Sequence, residues 1–367
     1  MRIYRYLLSE VSKSIFAVAT VLLLIFVSGR FVKYLGDVAS GSMSSKALFS
    51  IMFYRLPGFM EFILPLGFFL GVMLAYGRLY VESEMVVLQA CGVSKRRLLL
   101  YTQIPALIVM FFTASFTLYY TPAGWKQFYK VWNDPNTYSG LGTLVEGSFK
   151  NFFAQNLVVY AAEMNSEKNH LEDVLIVRSN RFAKVNRLVL IKAKRADVVS
   201  AEDHEPFIEL YDGTIYNGVP GSMDFNATRY GVYGQRLSSS EPQGFYKDTL
   251  DEVPTSALIK SDGRKEKVAL QWRISLPFIL PVLAIIALAL SETNHRKGRY
   301  IKLLPGIIVY LFYIVLLIAV RSRMEKSVHI PLGSLWIIHL LFLLIGISLL
   351  YVNELKFALA RRRSKKS

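Results

Sequence analysis

The chain has 367 residues, 53% of them hydrophobic, with a formal net charge of +16 and a single cysteine. One cysteine excludes an intrachain disulfide, and with it a disulfide-stapled scaffold. The positive balance is not a nucleic-acid signal: residues 123–266 hold 17 Lys and Arg against 19 Asp and Glu, while the rest holds 26 against 8. The excess therefore sits beside the long apolar runs, where anionic lipid head groups attract it.

In chain order, "MRIYRYLLSEVSKSI" places Ile3, Tyr6, Leu7, Val11 and Ile15 at helical spacing, with Arg2, Arg5 and Lys13 among them. This predicts an interfacial helix leading into a first membrane span at roughly 14–35. The apolar run is too long for a signal peptide, and no small-residue cleavage site follows it cleanly. A second span, roughly 51–80, is interrupted by Pro57 and Pro65. With Gly67 and Gly71 these predict a bend or a close approach of neighbouring helices. Glu61 is the one carboxylate deep in a span, and is expected to face a cavity or a partner helix. Further spans fall at roughly 97–121, 269–290, 301–320 and 333–353, each near the ~20 residues that a bilayer core requires.

Between spans two and three lies a polar island, "LYVESEMVVLQACGVSKRRLLLY". Ser83 is expected to cap a two-turn helix over about 83–92, with Glu84 in its first turn and Gly92 ending it in the left-handed conformation. Ser94 then caps the next helix. The short helix is expected to expose Met85, Val86 and Leu88. From pattern alone it either docks into a partner's groove or rests on lipid.

The insert between spans three and four reads as short strands, such as "NLVVYAAEM", "LEDVLIVRS" and "PFIELYDGTIYNG", separated by Asn, Gly, Asp and Pro clusters. That spacing predicts an all-β sandwich, barrel or jelly roll. Asn226-Ala227-Thr228 fits a glycosylation sequon, a short and common pattern. No HExxH, GxSxG or CxxC occurs, and the five histidines show no metal-ligand spacing. "GTLVEGSF" lacks the lysine of a phosphate loop and is a chance match. The chain therefore carries no catalytic constellation, and energy for any work must come from another subunit.

Cations cluster before span one (Arg2, Arg5, Lys13), between spans two and three (Lys95, Arg96, Arg97) and between spans four and five (Arg296, Lys297, Arg299, Lys302). A last cluster follows span six (Lys356, Arg361, Arg362, Arg363, Lys365, Lys366). With six spans all four fall on one side, the cytoplasmic side by the positive-inside rule, so both termini are inside and the insert outside. The expected organisation is a membrane part at 1–122, a periplasmic β-domain at 123–266, and a second membrane part with a basic tail at 267–367.

The stretches "RYLLSEVSKS", "ILPLGFFLG", "GRLYVESEMVVLQACGVSK", "LQWRISLPF" and "KLLPGIIVYL" closely resemble the LptF/LptG permease family of lipopolysaccharide export transporters in Gram-negative bacteria. The resemblance runs through the sixth span and is weakest in the insert. It implies a heterodimer of LptF-type and LptG-type permeases, each with six spans and an external jelly roll. A cytoplasmic dimer of the ATPase LptB, which holds ATP and Mg, binds beneath, and the single-span LptC joins at the side. Lipopolysaccharide enters between the permeases from the outer leaflet of the inner membrane and leaves along the jelly rolls. Glu84, Met85, Leu88 and Gly92 would then belong to the coupling helix, with Glu84 facing an arginine of the ATPase.

An anionic, phosphorylated lipid calls for cations near the outer face. Arg30 and Lys33 end span one there, Arg321 and Arg323 end span five, and Arg55 lies near the start of span two. Snorkelling to lipid heads is the plainer account of any single one; the resemblance favours substrate for Arg30, Lys33 and Arg321. Two other classes compete with a permease subunit. A self-sufficient transporter or flippase should show internal repeats and intramembrane charge pairs, of which the sequence offers only Glu61. A membrane-anchored structural or sensor protein leaves the capped cytoplasmic helix unexplained.

Overall fold

The computed structural model describes residues 2–39, 45–132, 146–152, 157–165, 170–179, 188–199, 207–221, 225–236, 250–292 and 302–364. The predicted loop cations Arg296, Lys297 and Arg299, and Lys365 and Lys366 of the tail, lie outside the described residues. The chain divides into two compact units, one of residues 1–29, 54–126 and 250–367, the other of residues 30–53 and 127–249.

Among the described residues, six helices are long and apolar enough to cross a membrane: Ile3–Ala39, Ala47–Val81, Lys95–Trp132, Arg264–Ser291, Leu303–Lys326 and Ser334–Val352. They match the six predicted spans in number and order, and most extend beyond the predicted ends. Helix α1 (Arg2–Ala39) is continuous, so the expected interfacial helix and first span are one element. Leu7, Val11 and Ile15 are buried, as their spacing predicts, whereas Ile3 and Tyr6 are exposed.

Helix α2 (Ser45–Val81) runs through both Pro57 and Pro65. A short helix, α3 (Glu84–Ala90), precedes α4 (Lys95–Ser115). A π turn, Phe116–Tyr120, then carries the chain into α5 (Thr121–Trp132), well past the predicted end of span three. After the strands come α6 (Thr255–Lys260), α7 (Arg264–Ser291), α8 (Leu303–Lys326) and α9 (Ser334–Ser364).

The core of the helical unit draws on α2, α4, α7, α8 and α9, with α7 packed against α4 and α9. Phe68, Phe69, Val72, Tyr76 and Leu79 are buried on α2, and Leu276, Ile279, Leu280, Leu283 and Ile286 on α7. Helix α1 contributes almost nothing from its most apolar stretch, where Phe16, Leu24 and Ile25 stay exposed. A helix apolar on every side needs lipid or a partner helix around it, not water.

Two glycines bring α1 against α2. A β-carbon at Gly71 would lie 2.6 Å from the Cα of Ile15, and one at Gly67 would lie 2.9 Å from the Cβ of Ala19. The "GFFLG" spacing thus does what small residues one turn apart do in membranes, letting two backbones meet.

The second unit carries the inserted all-β domain. Strands β1 (Phe149–Phe152), β2 (Leu157–Met164), β3 (His170–Ser179), β4 (Leu188–Val199), β5 (Phe207–Gly218) and β6 (Phe225–Arg236) form one antiparallel sheet in chain order. Leu157, Val159 and Ala161, then Val174 and Ile176, Ile191 and Ala193, Ile208 and Leu210, are buried at every second position, the period of a half-buried strand. The pairing skips Asp173 and Asp212, both in the left-handed region, which Asp tolerates better than most residues and which bends a strand.

Candidate functional site

Helix α2 carries one cluster around Arg55 and Glu61 and another at its Arg78 end. Glu61 and Arg78 are 17 positions apart, about 25 Å along a helix, close to the thickness of a bilayer core.

At the Arg78 end, α2 stops at Val81 and α3 begins after two intervening residues, Glu82 and Ser83. Ser83 does not cap α3 as expected. It sits at φ 62°, ψ 0° with no side-chain cap bond. Its N–H donates to the Tyr80 carbonyl at 3.2 Å, beside Glu82 N–H to Arg78 O at 2.9 Å, so its conformation is spent on finishing α2. The far end follows the prediction. Gly92 takes φ 90°, and Val93 N–H reaches back to the Leu88 carbonyl at 3.1 Å, the six-to-one bond of a helix stop. The Ser94 side chain accepts from Arg97 N–H at 3.4 Å and opens α4.

Met85 and Leu88, predicted on the exposed face, turn inward: Met85 is fully buried in the core, and Leu88 is half-buried against it. Seven residues leave room for one anchoring stripe, and the bulkiest side chains take it. The exposed apolar face is Val86 and Val87, at 55% and 59% accessibility. Glu84 stands at its rim and accepts a hydrogen bond from Tyr6 Oη at 2.6 Å. Glu10 pairs with Arg78, and Lys13 reaches Glu10 at 3.3 Å. Gln89 donates to Tyr80 Oη at 3.2 Å. Lys95 pairs with Glu292 at 3.4 Å, and Lys302 donates to the Glu292 carbonyl. The short helix is thereby tied to the start of α1 and the end of α2.

The other cluster gathers Arg55, Glu61, Asp251, Arg273, Arg321 and Glu325. Arg55 lies over the Trp125 ring at 3.5 Å, with Phe59 at 5.7 Å, close enough for a cation–π attraction. Arg321 donates through Nε to Glu325 at 2.9 Å and through Nη2 to Asp251 at 3.4 Å, with its guanidinium 5.0 Å from the Trp272 ring. Half-buried Glu61 is within electrostatic reach of Asp251, Arg321, Arg273 and Arg55.

Arg273 is buried, at 6% exposure. Its Nη1 donates to Val253 O and Thr255 Oγ1, and its Nη2 to Leu250 O and Asp251 O, all at 2.8–3.0 Å. The Thr255 hydroxyl in turn donates to the Leu118 carbonyl in the π turn. Arg264 closes the end of α8 by donating to Met324 O, Ser327 O and Ile330 O.

Of the predicted substrate cations, the structure brings Arg55 and Arg321 into one cluster. Arg323 is exposed and makes no ion pair among the described residues. Arg30 and Lys33, one turn apart on α1, belong to the other unit. Sequence reasoning passed over Arg273 and Asp251. The only signal was a cation six residues inside an apolar run, in "LQWRISLPF".

Fold and clusters together define a multi-pass membrane protein with an inserted sheet and two polar ends. Residues 5–352 match the family described as lipopolysaccharide export system permease LptF/LptG, and the chain belongs to that family. It is 26% identical over 349 residues, covering 95% of this chain and 94% of the relative, to the lipopolysaccharide export system permease protein LptF of Escherichia coli K12. Identity and coverage are the same for those of Escherichia coli O157:H7 and Shigella flexneri. The chain is accordingly a multi-pass protein of the inner membrane.

Proposed function

We propose that this permease subunit works in an ATP-driven transporter that takes lipopolysaccharide from the outer leaflet of the inner membrane and hands it to a periplasmic bridge toward the outer membrane. Both termini and α3 face the cytoplasm, and the sheet lies in the periplasm. The partners are an LptG-type permease, a cytoplasmic LptB-type ATPase dimer that alone holds ATP and Mg, and a single-span LptC-type protein. The chain itself is non-catalytic. Its role is to convert movement of the ATPase into movement of the helices around the lipid.

The observation that carries this reading is α3: two adjacent valines exposed beside a carboxylate, on a helix anchored from behind by buried Met85. A small apolar ridge held this firmly suits a groove in a moving partner, and the neighbouring cations support a cytoplasmic position for it. Arg55 and Arg321 suit the phosphates of the lipid.

The test is recovery of partners from native membranes. Wild type should bring down an ATPase and a second six-span chain. Val87→Asp, which puts a charge into the groove, should weaken ATPase binding by about 2 kcal/mol or more, roughly thirtyfold, and leave the permease pair intact. Glu84→Arg should act in the same direction, and Tyr6→Phe separates loss of its hydrogen bond from loss of charge. Wild type recovered without an ATPase would overturn the reading.

A further inference from the structure

Arg321 has an arginine's five donors in a fixed fork, and only part of that fork is used. Nε is held by Glu325 at 2.9 Å, Nη2 reaches Asp251 at 3.4 Å, and Nη1 donates to no group among the described residues. The Asp251 contact is at the long limit of a hydrogen bond, while the Glu325 contact is of ordinary length.

The same residues balance in charge. Arg55, Arg273 and Arg321 stand against Glu61, Asp251 and Glu325. Of the three cations, Arg273 is committed to four acceptors and Arg55 packs on Trp125. Arg321 has a long contact to exchange and, beside it, a donor that reaches no group among the described residues.

The Asp251 carbonyl is pinned by Arg273 Nη2 at 3.0 Å. Its side chain can therefore leave Arg321 by rotating about its own bonds, with the backbone in place. A carboxylate and a phosphate offer a guanidinium the same kind of acceptor.

We propose that Asp251 is a competing carboxylate that occupies Arg321 when no phosphorylated lipid is bound, gives way to a phosphate when one arrives, and takes the arginine back as the lipid leaves. Asp251 is thus a positioning residue that sets affinity. It keeps binding weak enough for release, as conduction through any transport site requires. If the pair is closed in most molecules, the apparent affinity for phosphate is lowered by the fraction of open ones. This rests on the reading of the chain as a lipopolysaccharide permease, and goes beyond it by naming what limits the grip of Arg321.

The experiment uses the purified complex of this chain with its partners, reconstituted in lipid. Two quantities are measured, equilibrium binding of lipopolysaccharide and lipid exported per ATP hydrolysed. The probes are intact lipopolysaccharide and the same material with its lipid phosphates removed.

Asp251→Asn should tighten binding of the phosphorylated probe about three- to tenfold and slow export, with binding of the dephosphorylated probe unchanged. A merely structural role for Asp251 would weaken binding and export together. Arg321→Gln should weaken binding of the phosphorylated probe. The double variant should bind no better than Arg321→Gln alone, since the two side chains act on one contact.

Asp251→Asn binding with wild-type or lower affinity, in a complex of unchanged composition, would overturn the proposal. So would Arg321→Gln binding as wild type does. In both cases the permease reading survives as long as the wild-type complex binds and exports. A wild-type complex that binds neither probe would overturn both.

Discussion

Replacing Arg273 by Met should unfold this permease more readily than any other single change at its charged end. The methionine keeps much of the volume of the stem but removes four hydrogen bonds, leaving Leu250, Asp251 and Val253 carbonyls and the Thr255 hydroxyl without their donor. An acceptor orphaned in a buried site costs about 1–3 kcal/mol. Breaking a buried charged network costs about 3–5 kcal/mol in all.

The effect should spread, because Thr255 also serves the Leu118 carbonyl of the π turn and Asp251 reaches Arg321. Thermal unfolding of the detergent-solubilised chain should fall by an amount on the order of 10 °C. Arg273→Lys should recover only a minor part of that, because a single ammonium cannot fork toward four acceptors. A melting temperature within the error of wild type would show that residues 250–255 are held by something else.

Gly71→Leu should be comparably damaging where α1 meets α2, for a different reason. The added β-carbon would meet the backbone of Ile15, at 2.6 Å from Cα and 2.8 Å from N. No rotamer relieves a clash with main chain, so α1 must move off α2.

Gly71→Ala, the smallest insertion, should cost about 1–3 kcal/mol, and Leu more. Moving α1 also carries Tyr6 and Glu10 away from Glu84 and Arg78, so ATPase recovery should fall with stability. Gly29→Ala on α1 is the control. A β-carbon there meets nothing within 4 Å, and the change should be neutral or stabilising by a few tenths of a kcal/mol through helix propensity. Equal damage at Gly29 and Gly71 would remove close packing as the explanation.

Much of this protein was legible before any fold was known. Six spans follow from apolar length, because the bilayer imposes a minimum that the chain must meet locally. The strands follow from a period of two, and the end of α3 from a glycine where only a left-handed residue serves. Even the close approach at Gly67 and Gly71 could be expected from two small residues one turn apart. Each of these depends on neighbours in sequence, and so each is written there.

What only the tertiary structure decided concerns partners far apart in the chain. Nothing near Met85 says that it faces inward and leaves Val86 and Val87 outside; both arrangements fit a seven-residue helix, and the core of the bundle chooses. Ser83 reads as a cap until the end of α2 claims its backbone. Arg273 looks like an isolated charge in an apolar run, because the carbonyls that satisfy it lie about twenty residues earlier. Arg321 looks like a free phosphate ligand until Asp251, seventy residues away in sequence, is seen beside it. A charged side chain in an apolar segment must find a partner, and sequence can state that need, but only the fold supplies the partner and so settles whether the charge is a latch or a site.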